Sequence, residues 1–98
     1  MIQKVAGYDP DQRRTEIGRR IREARIQHHL TQTEVAEMLG CSRIKLNRVE
    51  NGKADLTALE LDLLAFVFQL PVAFFFSTEG GLVQRVVWAT EPERGLVK

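Results

Sequence analysis

The stretch at residues 31–53, TQTEVAEMLGCSRIKLNRVENGK, leaves this chain little freedom in how it folds. Thr31-Gln32-Thr33-Glu34 is a capping box, in which the threonine oxygen accepts from early backbone N–H groups and the glutamate reaches back to the cap. Val35, Ala36 and Leu39 follow at helical spacing. Gly40 suits the positive φ that closes many helices, and Ser42 supplies the cap of the next one. The pattern predicts two short helices, at residues 32–39 and 43–50, joined by a tight turn. In the second, Leu46 and Val49 face inward, which leaves Arg43, Ile44, Asn47 and Arg48 facing outward. Two helices at a steep angle, the second with a basic outer face, is the geometry of a major-groove reader.

The flanking segments extend a helical domain on both sides. Asp9-Pro10-Asp11-Gln12 is a helix start, with an aspartate cap and proline in the first turn. A first helix is expected over residues 10–28, with Ile17, Ile21 and Ala24 inward. Asn51-Gly52 ends the third helix, since both residues tolerate left-handed backbone. Thr57-Ala58-Leu59-Glu60 is a second capping box and opens a fourth helix with Leu61, Leu64, Ala65 and Phe68 buried. Pro71 stops it and starts a short fifth helix containing Phe74, Phe75 and Phe76. Residues 82–88, LVQRVVW, are rich in β-branched side chains and read as a strand after the Gly80-Gly81 turn. A lone strand is not stable in water. No partner strand is legible in the chain, so pairing with the same segment of a second subunit is expected, the alternative being that the segment packs flat on the helical body or is disordered.

These motifs, in this order, resemble the lambda-repressor-like helix-turn-helix family, also known as Cro/CI or xenobiotic-response-element regulators. The elements that carry the resemblance are Gln32, Val35-Ala36, Gly40-Cys41-Ser42 and Glu50-Asn51-Gly52-Lys53. Upstream, Ile17-Gly18, Ile21-Arg22 and Arg25 resemble the family's first helix, and residues 57–65 with Leu70-Pro71-Val72 resemble its fourth and fifth. The likeness covers about residues 15–76. It implies an all-α fold: a five-helix lambda-repressor-like DNA-binding domain at residues 10–76, between an N-terminal arm at 1–9 and a β-strand-like C-terminal extension at 77–98. It also implies that Arg25 and Glu50, on the inner sides of their helices, form a structural salt bridge. Two positions depart from the family pattern: Cys41 stands where a small apolar residue is usual, and Ile44 where a polar one is common.

Affinity for double-stranded DNA comes mostly from phosphate contacts, and specificity from base edges. The start of the second helix, with free backbone N–H groups and Gln32 at the positive end of a helix dipole, is expected at a phosphate, with Asn51 and Lys53 forming a second clamp past the third helix; Thr33 and Ser42 are further candidate DNA contacts. Arg43 and Arg48 suit the O6/N7 edge of guanine, and Asn47 suits adenine. Ile44 either touches a thymine methyl or is an ordinary surface isoleucine, while Lys45, at the edge of the face, fits a phosphate.

Charge is distributed to match. The 98 residues carry a net charge of +1, but between residues 12 and 53 ten basic residues stand against five acidic ones. Part of the first helix's arginine set is expected to be a solvated face. A single cysteine rules out an internal disulfide and fits a reducing cytoplasm. No signal peptide or membrane span is legible. No catalytic residues, metal ligands or cofactor motif can be read, since His28-His29 lacks further ligands and no nucleophile–base arrangement is present.

The expectation is therefore a sequence-specific transcriptional regulator that is not an enzyme, most simply a repressor acting as a homodimer. Its dimer interface is expected to use Phe74, Phe75, Leu82, Val83, Val86, Val87 and Trp88. The alternative is an antitoxin or other protein-interaction module that covers a toxin and autoregulates its operon, because the Phe74–Phe76 and 82–88 stretches are apolar beyond a monomer's needs.

Overall fold

Four side-chain caps start the four α-helices. The computed structural model describes residues 5–77. Asp9 Oδ1 accepts from the N–H groups of Asp11 (3.1 Å) and Gln12 (3.3 Å) and opens α1, Pro10–Gln27. Thr31 opens α2, Gln32–Leu39, and Thr57 opens α4, Ala58–Phe68, each through a complete capping box. Ser42 accepts from the N–H of Lys45 at 3.0 Å and opens α3, Arg43–Glu50. Such caps each contribute about 1 kcal/mol.

The helix ends follow backbone chemistry as closely. Gly40 takes φ +74° between α2 and α3, the left-handed conformation a side chain would strain. At the end of α3, Asn51 stays at φ −97° and the left-handed step falls on Gly52 alone. Two ends lack a glycine: His29 after α1 and Gln69 after α4 both sit at φ +57°.

The expected fifth helix is a 3-10 turn, Val72–Phe76, so the domain has four α-helices rather than five. Pro71 removes one donor, and five residues are too few to establish an α-helical ladder. The turn closes instead through tighter bonds such as Phe74 N–H to Pro71 O, 2.9 Å. Its packing places the two phenylalanines expected at the dimer interface differently. Phe75 is wholly buried in the domain core, and Phe74 is half-buried with its ring edge-on to Phe75, centroids 5.6 Å apart. Residues 82–88, and with them Leu82, Val83, Val86, Val87 and Trp88, lie outside the described residues.

Ile21, Val35, Leu46, Leu64 and Phe68 form the centre of the core with Phe75, joining all five elements. α1 and α3 cross at Gly18, where an added Cβ would collide with the carbonyl oxygens of Val49 and Glu50. The absence of a side chain there lets α1 lie against the backbone of α3's last turn.

Candidate nucleic-acid interface

α2 and α3 are fixed to each other and to α1 by one buried carboxylate. The Glu50 side chain, 1% exposed at the end of α3, accepts from Arg25 Nε at 2.6 Å and from Arg25 Nη2 at 3.0 Å. It also accepts from Gln32 Nε2 at 3.0 Å. The remaining Arg25 nitrogen, Nη1, donates to Leu30 O at 2.9 Å, just before α2. A bidentate arginine on a buried carboxylate gives directional as well as Coulombic hold. Here it sets the end of α1, the start of α2 and the end of α3 in one frame.

Gln32 has a role that sequence reading did not separate from DNA contact. Its side chain is half-buried, its amide nitrogen is engaged by Glu50, and its oxygen faces Arg43 Nη1 at 3.4 Å. The side chain thus lies between the buried ion pair and the first residue of α3. At this end the outward-facing donors are the backbone N–H groups of Gln32 and Thr33, which have no acceptor among the described residues. Helix N-termini of this kind favour a phosphate.

The outer face of α3 holds Arg43, Ile44, Asn47 and Arg48, all exposed, with Ile44 67% exposed. Lys45 is half-buried at the edge of that face, while Ser42, Thr33, Asn51 and Lys53 are exposed around it. Two of these side chains are already oriented. Asn51 Nδ2 donates to Asn47 O (2.8 Å) and to Asn47 Oδ1 (3.3 Å), holding the two amides together. Arg48 Nη2 donates to Lys53 O at 2.9 Å while Lys53 N–H donates to Arg48 O at 2.7 Å. Arg48 therefore closes the loop that carries Lys53, whereas Arg43 and Ile44 at the start of the helix extend most freely.

The arginines of α1 are largely engaged elsewhere. Arg13 pairs with Glu16 and donates to Phe76 O, and Arg14 pairs with Asp11 and Asp55. Arg19 and Arg20 share Glu23, and the buried Arg20 also donates to Ser77 O and lies over the Phe74 ring at 5.4 Å. Only Arg22 of this helix has no ion pair among the described residues. The positive charge counted along the sequence is thus concentrated, in effect, on α3 and the loop after it.

His28 caps α1, its Nδ1 2.9 Å from Ala24 O and its ring 5.0 Å from that of Phe68. Cys41 is half-buried against the core. Among the described residues no group of three or more His, Cys, Asp or Glu side chains could hold a metal ion, and no helix is long and apolar enough to cross a membrane.

The family model described as Helix-turn-helix matches residues 21–75, more than half of the chain, from the second half of α1 through α2, α3 and α4 to Phe75. The chain belongs to the lambda-repressor-like helix-turn-helix family. It is a DNA-binding transcriptional regulator of a family that is typically non-enzymatic. The regulator is similar to the crystal structure of the restriction-modification controller protein C.AhdI from Aeromonas hydrophila, at 26% identity and TM-score 0.57 over 63% of this chain and 94% of that one. It shares its fold with an HTH_3 family transcriptional regulator from Vibrio cholerae, at 20% identity and TM-score 0.63 over 76% of this chain. The match spans 42% of the Vibrio protein's length. Among curated proteins, none matches the sequence significantly.

Proposed function

We propose that the regulator is a repressor that binds a two-fold operator in the cytoplasm as a homodimer, with α3 of each copy in a major groove. The observation that carries this reading is the free outer face of α3, flanked by unpaired N–H groups at α2 and by Asn51 and Lys53 beyond α3. In this arrangement Arg43 and Asn47 read bases, and Ile44 meets a thymine methyl. The α2 N-terminus, Ser42, Lys45 and Lys53 hold phosphates. Gln32 positions Arg43, and Arg48 positions Lys53. Two such helices in a dimer address half-sites about 34–36 Å apart. The likeness to a restriction-modification controller makes the DNA upstream of the regulator's own gene the natural operator to test.

The test is fluorescence anisotropy with that DNA and with a scrambled duplex, over a salt series. The wild type is expected to prefer the upstream DNA, and Arg43→Ala is expected to lose the preference while keeping its fold. Equal, weak binding to both duplexes would contradict the reading. A second reading, an antitoxin that covers a toxin, is favoured by the exposed apolar face of α4, and copurification of a second small protein with the regulator would support it.

A further inference from the structure

α4 presents two faces. Leu61, Leu64, Ala65 and Phe68 enter the core, whereas Leu59 and Phe66 are 74% and 80% exposed and Leu63 is 37% exposed. The three outer side chains recur at helical spacing and line one open groove with Glu60 and Asp62. Past Phe66 the apolar surface continues over Val67, Leu70 and Pro71. An apolar stripe of this kind in water calls for a cover.

A matching apolar surface lies a few residues further along the same chain. In an extended conformation residues 82–88 place Leu82, Val86 and Trp88 on one side and Val83, Arg85 and Val87 on the other. The chain leaves the domain at a fixed point, since Phe76 O is held by Arg13 and Ser77 O by Arg20, and Ser77 is 2% exposed. That point directly follows the 3-10 turn, which packs on both α1 and α4. Five residues, from 77 to 82, span up to about 17 Å when extended, and α4 is itself about 16 Å long. The rim of the groove is acidic and α4 contains no basic residue. Packing α4 of one copy on α4 of another would instead bring carboxylates together. A short tether also gives the attached segment a far higher effective concentration than a separate molecule has.

From these features we infer that residues 82–88 fold back onto the outer face of α4 of their own chain, with Leu82, Val86 and Trp88 against Leu59, Leu63 and Phe66. A strand lying on a helix gains the packing that it lacks alone, and its free backbone edge remains available to a second subunit. The docking does not depend on DNA binding or on dimerisation.

Trp88, the only tryptophan of the chain, reports on it directly. In the full-length protein its emission is expected to be blue-shifted, and unchanged on dilution from tens of micromolar to tens of nanomolar. A double variant, Leu59→Ser with Phe66→Ser, is expected to shift the emission to that of N-acetyltryptophanamide in the same buffer. Its far-ultraviolet circular dichroism should show α1 to α4 retained, since both side chains are exposed. Ile26→Ser, at an exposed apolar position on α1, should leave the emission unchanged. Three results would overturn the inference: a wild-type emission already at the solvent value, a blue-shifted emission indifferent to the α4 variant, or a blue shift lost on dilution, which would place Trp88 on a second copy. Operator binding measured on the same samples keeps the DNA-binding reading separate.

Discussion

α1 and α3 both carry arginine-rich faces, yet the structure gives them different work. Five of the six arginines of α1 are held in ion pairs: Arg14 and Arg25 tie the helix to Asp55 before α4 and to Glu50, while Arg13 and Arg20, paired within the helix, also donate to the carbonyls of Phe76 and Ser77. On α3, Arg43 meets only the Gln32 amide oxygen, at 3.4 Å, and Lys45 forms no ion pair among the described residues. What separates the two faces is the position of carboxylates. Asp11, Glu16, Glu23, Glu50 and Asp55 all lie within reach of α1, whereas the exposed face of α3 has none. In the proposed reading the unpaired cations of α3 are left for phosphates and base edges, and the paired arginines of α1 act as struts.

The sharpest way to break this comparison is to remove a strut that is also buried. Arg25→Ala leaves the Glu50 carboxylate enclosed without its counter-charge, and chemical denaturation should show a loss of roughly 3–5 kcal/mol. Arg25→Lys should recover only part of it, because an ammonium cannot bridge both carboxylate oxygens. Next comes the contact that lets α1 approach α3. Gly18→Ala forces a methyl into the carbonyls of Val49 and Glu50, and the same measurement should show a loss of about 1–3 kcal/mol.

On the α3 side the effect should move from stability to recognition. Arg43→Ala is expected to leave the thermal midpoint unchanged while lowering discrimination between upstream and scrambled DNA by about 1–3 kcal/mol in anisotropy titrations. The smallest effect belongs to the exposed struts. Arg19→Ala, which breaks a pair whose two side chains are 48% and 44% exposed, should change stability by no more than about 0.5 kcal/mol and leave DNA affinity nearly intact. If Arg19→Ala weakened DNA binding as much as Arg43→Ala, the division between strut and reader would fail.

Local chemistry made much of this architecture legible in the sequence. The Thr31 and Thr57 capping boxes, the Ser42 cap and the Gly40 turn all depend on neighbours within four residues, and all four are found where the pattern places them. What was not legible depends on distant packing. Nothing near Arg14 or Arg20 announces Asp55 or Ser77 O as a partner, since the chain must fold before they meet. The Gln32 amide likewise looks like a surface phosphate ligand until Glu50, eighteen residues on, is brought beside it. Phe75 suggested an interface because a run of phenylalanines is more apolar than a short surface helix needs. The 3-10 turn resolves that excess by directing Phe75 into the core. The Arg25–Glu50 pair was implied by family resemblance, while its bond to Gln32 emerged only from the three-dimensional arrangement.

The most direct test of the account is a backbone-amide NMR titration of the regulator with DNA from upstream of its gene. The account predicts the largest shifts at Gln32, Thr33, Arg43, Ile44, Asn47 and Lys53, with α1 residues 13–20 little changed. Shifts centred on the arginines of α1, with the outer face of α3 unmoved, would contradict it.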